Sequence, residues 1–236
     1  MWKVGSWFLS VLLVYFFSIP ANALTDNECV IEGLISKDYP KGEDYLLEKV
    51  EVLVDQGEDV NCLNEEGFKS TAVTLSIHFK FDRLLRFLLE HGGDPNMEGF
   101  ALSTPLRLAI TNSREDAVEI LIDHGAKAQV GKKWRSKHPV YSAASGGNKK
   151  ILSLILSMNP NLSLFGDDVY TRMLETYVVR HNDRGLLRKY IDLGGYISKR
   201  GFENICKEKN TSELVEEYIQ YFYSRKMIDV KVSDCN

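Results

Sequence analysis

One nine-residue phrase recurs along this chain, and its spacing restricts the possible folds more than any other feature. The copies read LVDQGEDVN from Leu53, LLEHGGDPN from Leu88, LIDHGAKAQ from Leu121, ILSMNPNLS from Ile155 and YIDLGGYIS from Tyr190. Their register residues Gly57, Gly92, Gly125, Asn159 and Gly194 stand 35, 33, 34 and 35 positions apart. A period in that range means that one supersecondary unit is restated, each copy burying its apolar face on its neighbours, which is a solenoid. Such an array offers an extended surface to partners and no enclosed catalytic pocket.

The clearest unit is TPLRLAITNSREDAVEILIDHG, from Thr104 to Gly125. Thr104 is a cap for a helix whose first position is Pro105, where a missing N–H does no harm. Leu106, Ala109 and Ile110 recur at three- and four-residue spacing and give that helix one apolar face. Asn112 and Ser113 interrupt it. A second helix starts near Arg114, carries Ala117, Val118, Leu121 and Ile122 on one stripe, and stops at Gly125, which tolerates the left-handed conformation. The helix opening recurs in register: Thr71 to Ile77 starts 21 residues before Gly92, Thr104 stands 21 before Gly125, and His138 to Ala144 starts 21 before Asn159.

TPLRLAI followed by LIDHGAKAQ resembles the ankyrin repeat, with its TPLHxAA helix and LLxxGA-type ending. The likeness runs from about Glu28 to Ile197 and implies an all-α ankyrin-repeat solenoid of about five helix-turn-helix units. The first and last units depart from the pattern. A Tyr39-Pro40-Lys41-Gly42 connection interrupts the first, and Met173-Leu174-Glu175 replaces TPL in the last, as suits capping units with a neighbour on one side only. Gly201 to Lys209 and Thr211 to Lys226 read as a closing helix pair, with Leu214, Tyr218 and Phe222 on one stripe. The expected organisation is a signal peptide over residues 1–23, the array over 24–198, and C-terminal capping helices and tail over 199–236.

The signal-peptide reading rests on Lys3, the 13-residue apolar stretch Trp7 to Ile19, and Pro20 before Ala21-Asn22-Ala23, a small-residue cleavage pattern. Cleavage is expected after Ala23, placing the product in the periplasm or outside the cell. The stretch is shorter than the roughly 20 apolar residues of a membrane-spanning helix, so no membrane insertion is expected afterwards. Loss of Lys3 takes the 29 basic residues to 28, against 33 acidic ones. That balance argues against nucleic acid, which needs an excess of Lys and Arg on one face.

The cysteines are Cys29, Cys62, Cys206 and Cys235, two near each end of the array. In an exported chain they permit disulfides, and the expected pairs are Cys29 with Cys62 and Cys206 with Cys235, closing the ends where a solenoid frays. Four buried thiols are the alternative. No close CxxC pair suggests zinc.

His91 and His124 each precede a terminal glycine. A residue recurring at that place caps carbonyls at a helix end, as the ankyrin resemblance also implies, and no metal or other cofactor is expected. HExxH, GxSxG, Walker-type and GxGxxG motifs are all missing. Glu115 and Asp116 are adjacent on a helix and face different ways, so they form no acid/base pair. His181, Asp183 and Arg184 are close in sequence without a catalytic pattern. The chain is read as no enzyme.

The resemblance implies a concave surface built from the first helices and the loops between units, with binding carried by positions outside the signature. The candidate residues are His78, Phe79, Thr111, Asn112, Ser145, Arg180 and His181 at first-helix ends, and Phe100, Lys133, Trp134 and Arg135 at loop tips. Phe79, Phe100 and Trp134 are candidate anchors, since buried aromatics dominate many interfaces; the alternative is that each covers the edge of its own repeat. The segment KKWRSKH, from Lys132 to His138, offers an acidic partner four basic residues and a histidine, or is simply a solvated loop. The functional expectation is a monomeric exported protein that binds a partner protein, in the manner of a toxin-neutralising immunity protein. The alternative is an envelope scaffold or enzyme-protecting factor with weaker, broader contacts.

Overall fold

The structure is a computed structural model and describes residues 29–65, 69–99, 103–128, 138–162 and 184–195. Nine α-helices are present among them: α1 Val30–Asp38, α2 Glu43–Asp55, α3 Ala72–Phe79, α4 Asp82–Glu90, α5 Pro105–Thr111, α6 Glu115–Asp123, α7 Pro139–Gly146, α8 Lys149–Ser157 and α9 Arg184–Asp192. A 3-10 turn, Tyr39–Lys41, joins α1 to α2. The described residues contain no strand, only isolated antiparallel bridges Asn64 to Ser70 and Gly99 to Ser103 that pinch the loops before α3 and α5.

Capping sets where the first helices begin. The Thr71 hydroxyl accepts from the Thr74 amide at 3.1 Å, and the Thr74 hydroxyl accepts in return from the Thr71 amide at 2.9 Å, a reciprocal capping box. Thr104 accepts from the Arg107 amide at 3.3 Å, with Pro105 in the first helical position. At the third start the hydroxyl is replaced by an imidazole, His138 Nδ1 accepting from the Val140 amide at 3.2 Å. The second helices end in the left-handed region at Gly57, Gly92, Gly125, Asn159 and Gly194, with φ of 87°, 91°, 86°, 53° and 83°.

First helices stack on first helices, α1 on α3, α3 on α5 and α5 on α7; second helices do likewise from α2 through α4, α6 and α8 to α9. The residue four before each of the last four endings forms the spine of this second layer, while Leu53 in the first unit is only partly buried. Leu88, Leu121, Ile155 and Tyr190 occupy that position and are fully buried, each contributing roughly 1.5–3 kcal/mol of burial. Tyr190 is larger than its counterparts, and Gly195 makes the room. A Cβ on Gly195 would lie 2.5 Å from the Tyr190 ring, whereas the equivalent place after Gly125 holds Ala126.

The units are also joined by polar groups. Asn61 donates to the Gly92 carbonyl at 2.8 Å and accepts from the Asp94 amide at 2.7 Å; Asn96 repeats this towards Gly125, at 3.2 Å, and the Lys127 amide, at 2.8 Å. Phe81 cannot cap α4 with its own side chain, so the first unit does it. Glu43 Oε1 accepts from the Arg83 and Leu84 amides at 2.7 and 3.0 Å. Cys29 and Cys62 are disulfide-bonded with their Cα atoms 5.3 Å apart. Beside them the buried Glu32 accepts from Ser70 Oγ and Asn64 Nδ2, at 2.5 and 2.9 Å, which locks α1 to the first loop. Cys206 and Cys235 lie outside the described residues, as do residues 1–28 and the closing helix pair.

Candidate interaction surface

From α3 on, each described first helix ends in a tight turn into its second helix. His78, Phe79, Thr111, Asn112 and Ser145 sit at or just past the C-terminal ends of α3, α5 and α7, along one edge of the inner layer. The loop-tip residues Phe100, Lys133, Trp134 and Arg135, and Arg180 and His181, lie outside the described residues.

At the helix ends, His78, Thr111, Asn112, Ser145 and Gly146 are exposed and Phe79 is half-buried. Thr111 folds its hydroxyl back onto the Arg107 carbonyl at 3.0 Å. Phe79 stacks on Tyr39 of the preceding unit, ring centroids 4.0 Å apart and planes 6° from parallel. His78 meets Phe79 edge-on at 5.0 Å, and Phe81 lies 6.0 Å away. Phe79 thus combines the two readings of its sequence position: it covers the edge of its repeat and shows part of its ring to water. Tyr39, which the sequence marks only as part of an irregular connection, is 43% exposed.

His138 differs from its sequence context. Next to four basic residues it reads as part of a charged tip, but it occupies the cap position of α7 and is only 1% exposed. Burial pushes its imidazole down to about 4, so it is neutral near pH 7 and adds no charge to that loop. The register signal was available, because His138 stands as far before its ending as Thr71 and Thr104 do before theirs.

The recurring histidines act as helix-end caps. The Nδ1 of His91 donates to the Phe87 carbonyl at 2.8 Å and that of His124 to the Ile120 carbonyl at 2.7 Å, with His91 stacked on the Phe87 ring. Among the described residues no three His, Cys, Asp or Glu side chains are grouped to hold a metal ion. No described helix is long and apolar enough to cross a membrane.

The second helices enclose a groove of about 320 Å³ between α4 and α6, lined by Asp82, Arg83, Arg86, Asp116, Glu119, Ile120 and Asp123. Three of its six charged side chains are matched by ion pairs. Asp82 binds Arg114 at 2.6 Å, Arg83 binds Glu43 and Asp44, and Glu119 binds Lys150 at 3.0 Å. Burial, helped by the nearby Asp116 and Glu43 carboxylates, holds the Asp82 carboxyl above its ordinary value in spite of Arg114. Glu115, adjacent to Asp116, points instead into the following unit, where the Asn148 amide and Lys150 hold its carboxyl below the ordinary value.

Comparison with known proteins agrees with this geometry. The sequence profile for ankyrin repeats (3 copies) matches residues 42–132. A human protein, transient receptor potential cation channel subfamily A member 1, is 30% identical over 112 residues, 47% of this chain and 10% of that one. The chain thus spans about a tenth of the length of this relative. The human ASB11 ankyrin repeat domain superposes with a TM-score of 0.52 at 18% identity, covering 79% of this chain and 82% of that one. The ankyrin repeat domain of Bcl-3, a member of the IkappaB protein family, gives 0.53 at 14% identity, covering 73% and 78%.

Proposed function

The chain being an ankyrin-repeat protein, with a scaffold that generally mediates contacts between proteins, we propose that it is exported and binds one partner protein through the inner face of its first helices, their C-terminal edge and the loop tips. The observation that carries this reading is the row His78, Phe79, Thr111, Asn112 and Ser145. These residues end helices whose other faces are buried; His78, Thr111, Asn112 and Ser145 are exposed along one edge, and Phe79 among them packs one side on the core while showing the other to water. The anchors are Phe79, Phe100 and Trp134. Export is supported by the sequence over residues 1–23 and fits the Cys29 to Cys62 bond.

Within this reading the preferred role is neutralisation of a toxin, as an immunity protein. A stack locked by Asn61, Asn96 and Glu43 loses little conformational freedom on association, which favours tight binding. The test is photo-crosslinking from Thr111 and Ser145 in envelope extract, with Val52 on a second helix as the control, beside alanine at Phe79, Phe100 and Trp134 singly. One stoichiometric partner crosslinked from the first-helix ends is the expected result. A broad, salt-sensitive set would favour an envelope scaffold or enzyme-protecting factor, and crosslinks from Val52 alone would remove the surface assignment.

A further inference from the structure

Resting on the protein-binding reading, we propose that the helix-turn edge centred on Tyr39 and Phe79 docks an acidic peptide segment of the partner, which lays a flat apolar side chain on the open face of Tyr39. The first support is the stack. Two aromatic rings from neighbouring units lie parallel at 4.0 Å, which orders Tyr39 while leaving 43% of it in water. Among the described residues the exposed large hydrophobics are Val30, Tyr39 and Val52, and Tyr39 is the aromatic one. A rigid, amphipathic ring of this kind gains contact area on binding at small entropic cost.

The second support is charge. Every carboxylate at this edge has a cation or amide partner: Asp38 takes Lys41 at 2.9 Å and the Tyr45 hydroxyl at 3.2 Å, Glu43 and Asp44 take Arg83, and Asp82 takes Arg114. Lys37 and Lys80 have no ion-pair partner among the described residues. They flank the stack in sequence, Lys37 two residues before Tyr39 and Lys80 directly after Phe79. An exposed tyrosine face also attracts cationic side chains, but two open lysines oppose that and favour carboxylates.

The third support is backbone strain. Lys80, Ser113 and Gly147 hold the same place, twelve residues before their endings, all in the left-handed region with φ of 66°, 53° and 69°. Glycine is the residue that adopts this conformation freely, as in the α7 unit. A lysine there is disfavoured by the backbone and follows Phe79 directly in the chain, the kind of local strain that accumulates at binding sites.

The experiment uses the full chain and fluorescein-labelled pentapeptides in anisotropy titrations: tryptophan flanked by glutamates, tryptophan flanked by lysines, and serine flanked by glutamates. Only the first should bind, more weakly as salt rises. Tyr39→Ala should weaken it about tenfold and Lys80→Gly several-fold, and Lys80→Gly should not lower the melting temperature. Equal or better binding of the lysine peptide, no binding of any peptide, or indifference to both variants overturns the proposal. So does capture on phosphatidylserine vesicles that Tyr39→Ala abolishes, since the occupant would then be a lipid surface. A partner crosslinked from Thr111 whose affinity ignores Tyr39→Ala and Lys80→Gly sinks this inference alone, whereas the absence of crosslinks from every helix end sinks the reading beneath it.

Discussion

Asn61 is bonded to the turn of the following unit through both ends of its amide, accepting from the Asp94 amide at 2.7 Å while donating to the Gly92 carbonyl at 2.8 Å. Asn96 makes the same pair of bonds one unit later. Two hydrogen bonds at a partly exposed site are lost on truncation. Asn61→Ala and Asn96→Ala are each expected to lower stability by about 1–2 kcal/mol. In urea unfolding the two effects should add, because the side-chain bonds removed end on different groups; Asp94 also accepts from the Asn96 backbone amide at 2.8 Å, a bond that alanine at 96 keeps. A double variant no weaker than either single one would contradict this.

His138 predicts how stability depends on pH. Its folded value of about 4 lies below the ordinary 6.5, so the unfolded chain takes up a proton that the folded chain refuses. The stability is complete above pH 6.5 and falls as the pH drops towards 4, below which the loss stops growing. At pH 5 it amounts to about 2 kcal/mol. His138→Thr, which restores the hydroxyl cap used at Thr71 and Thr104, should remove this component from denaturation curves at pH 7 and pH 5.

The bond between Cys29 and Cys62, 33 residues apart, restrains the unfolded chain. In the chain-entropy account a loop of that length is worth about 3–4 kcal/mol. The double variant Cys29→Ser/Cys62→Ser leaves Cys206 and Cys235 untouched. It should lose stability of that order, and hydrogen exchange should place the loss first in α1 and the loop from Asn64 to Ser70, which Glu32 joins.

Gly195→Ala should destabilise the array by about 1–3 kcal/mol, because its Cβ would enter the ring of the fully buried Tyr190. The compensating pair Gly195→Ala/Tyr190→Leu restores the combination found at Ala126 and Leu121. Its melting temperature should exceed that of the single variant.

Much of the scaffold is legible from local rules. Thr104 before Pro105, the spaced apolar residues of α6 and the glycine endings act within one turn of their own helix, so a reader of the sequence finds them. His91 and His124 are legible for the same reason, since each bonds a carbonyl four residues back. The interaction surface is less so. The Tyr39 and Phe79 stack joins residues 40 apart across two turns, and nothing near either ring announces the other. His138 misleads in the opposite way: its neighbours are basic, but its exposure is decided by the register of a cap position.

The carboxylate of Glu43 belongs to one unit and completes the start of a helix in the next, as Asn61 completes a turn there. At this first seam the array therefore has a direction, the start of α4 being furnished from its N-terminal side. A graft that removed the first unit would leave α4 with bare amides beside Phe81, while trimming from the other end would leave the start of α4 intact. An engineer shortening this protein should splice from its C-terminal side, or carry a glutamate across the join.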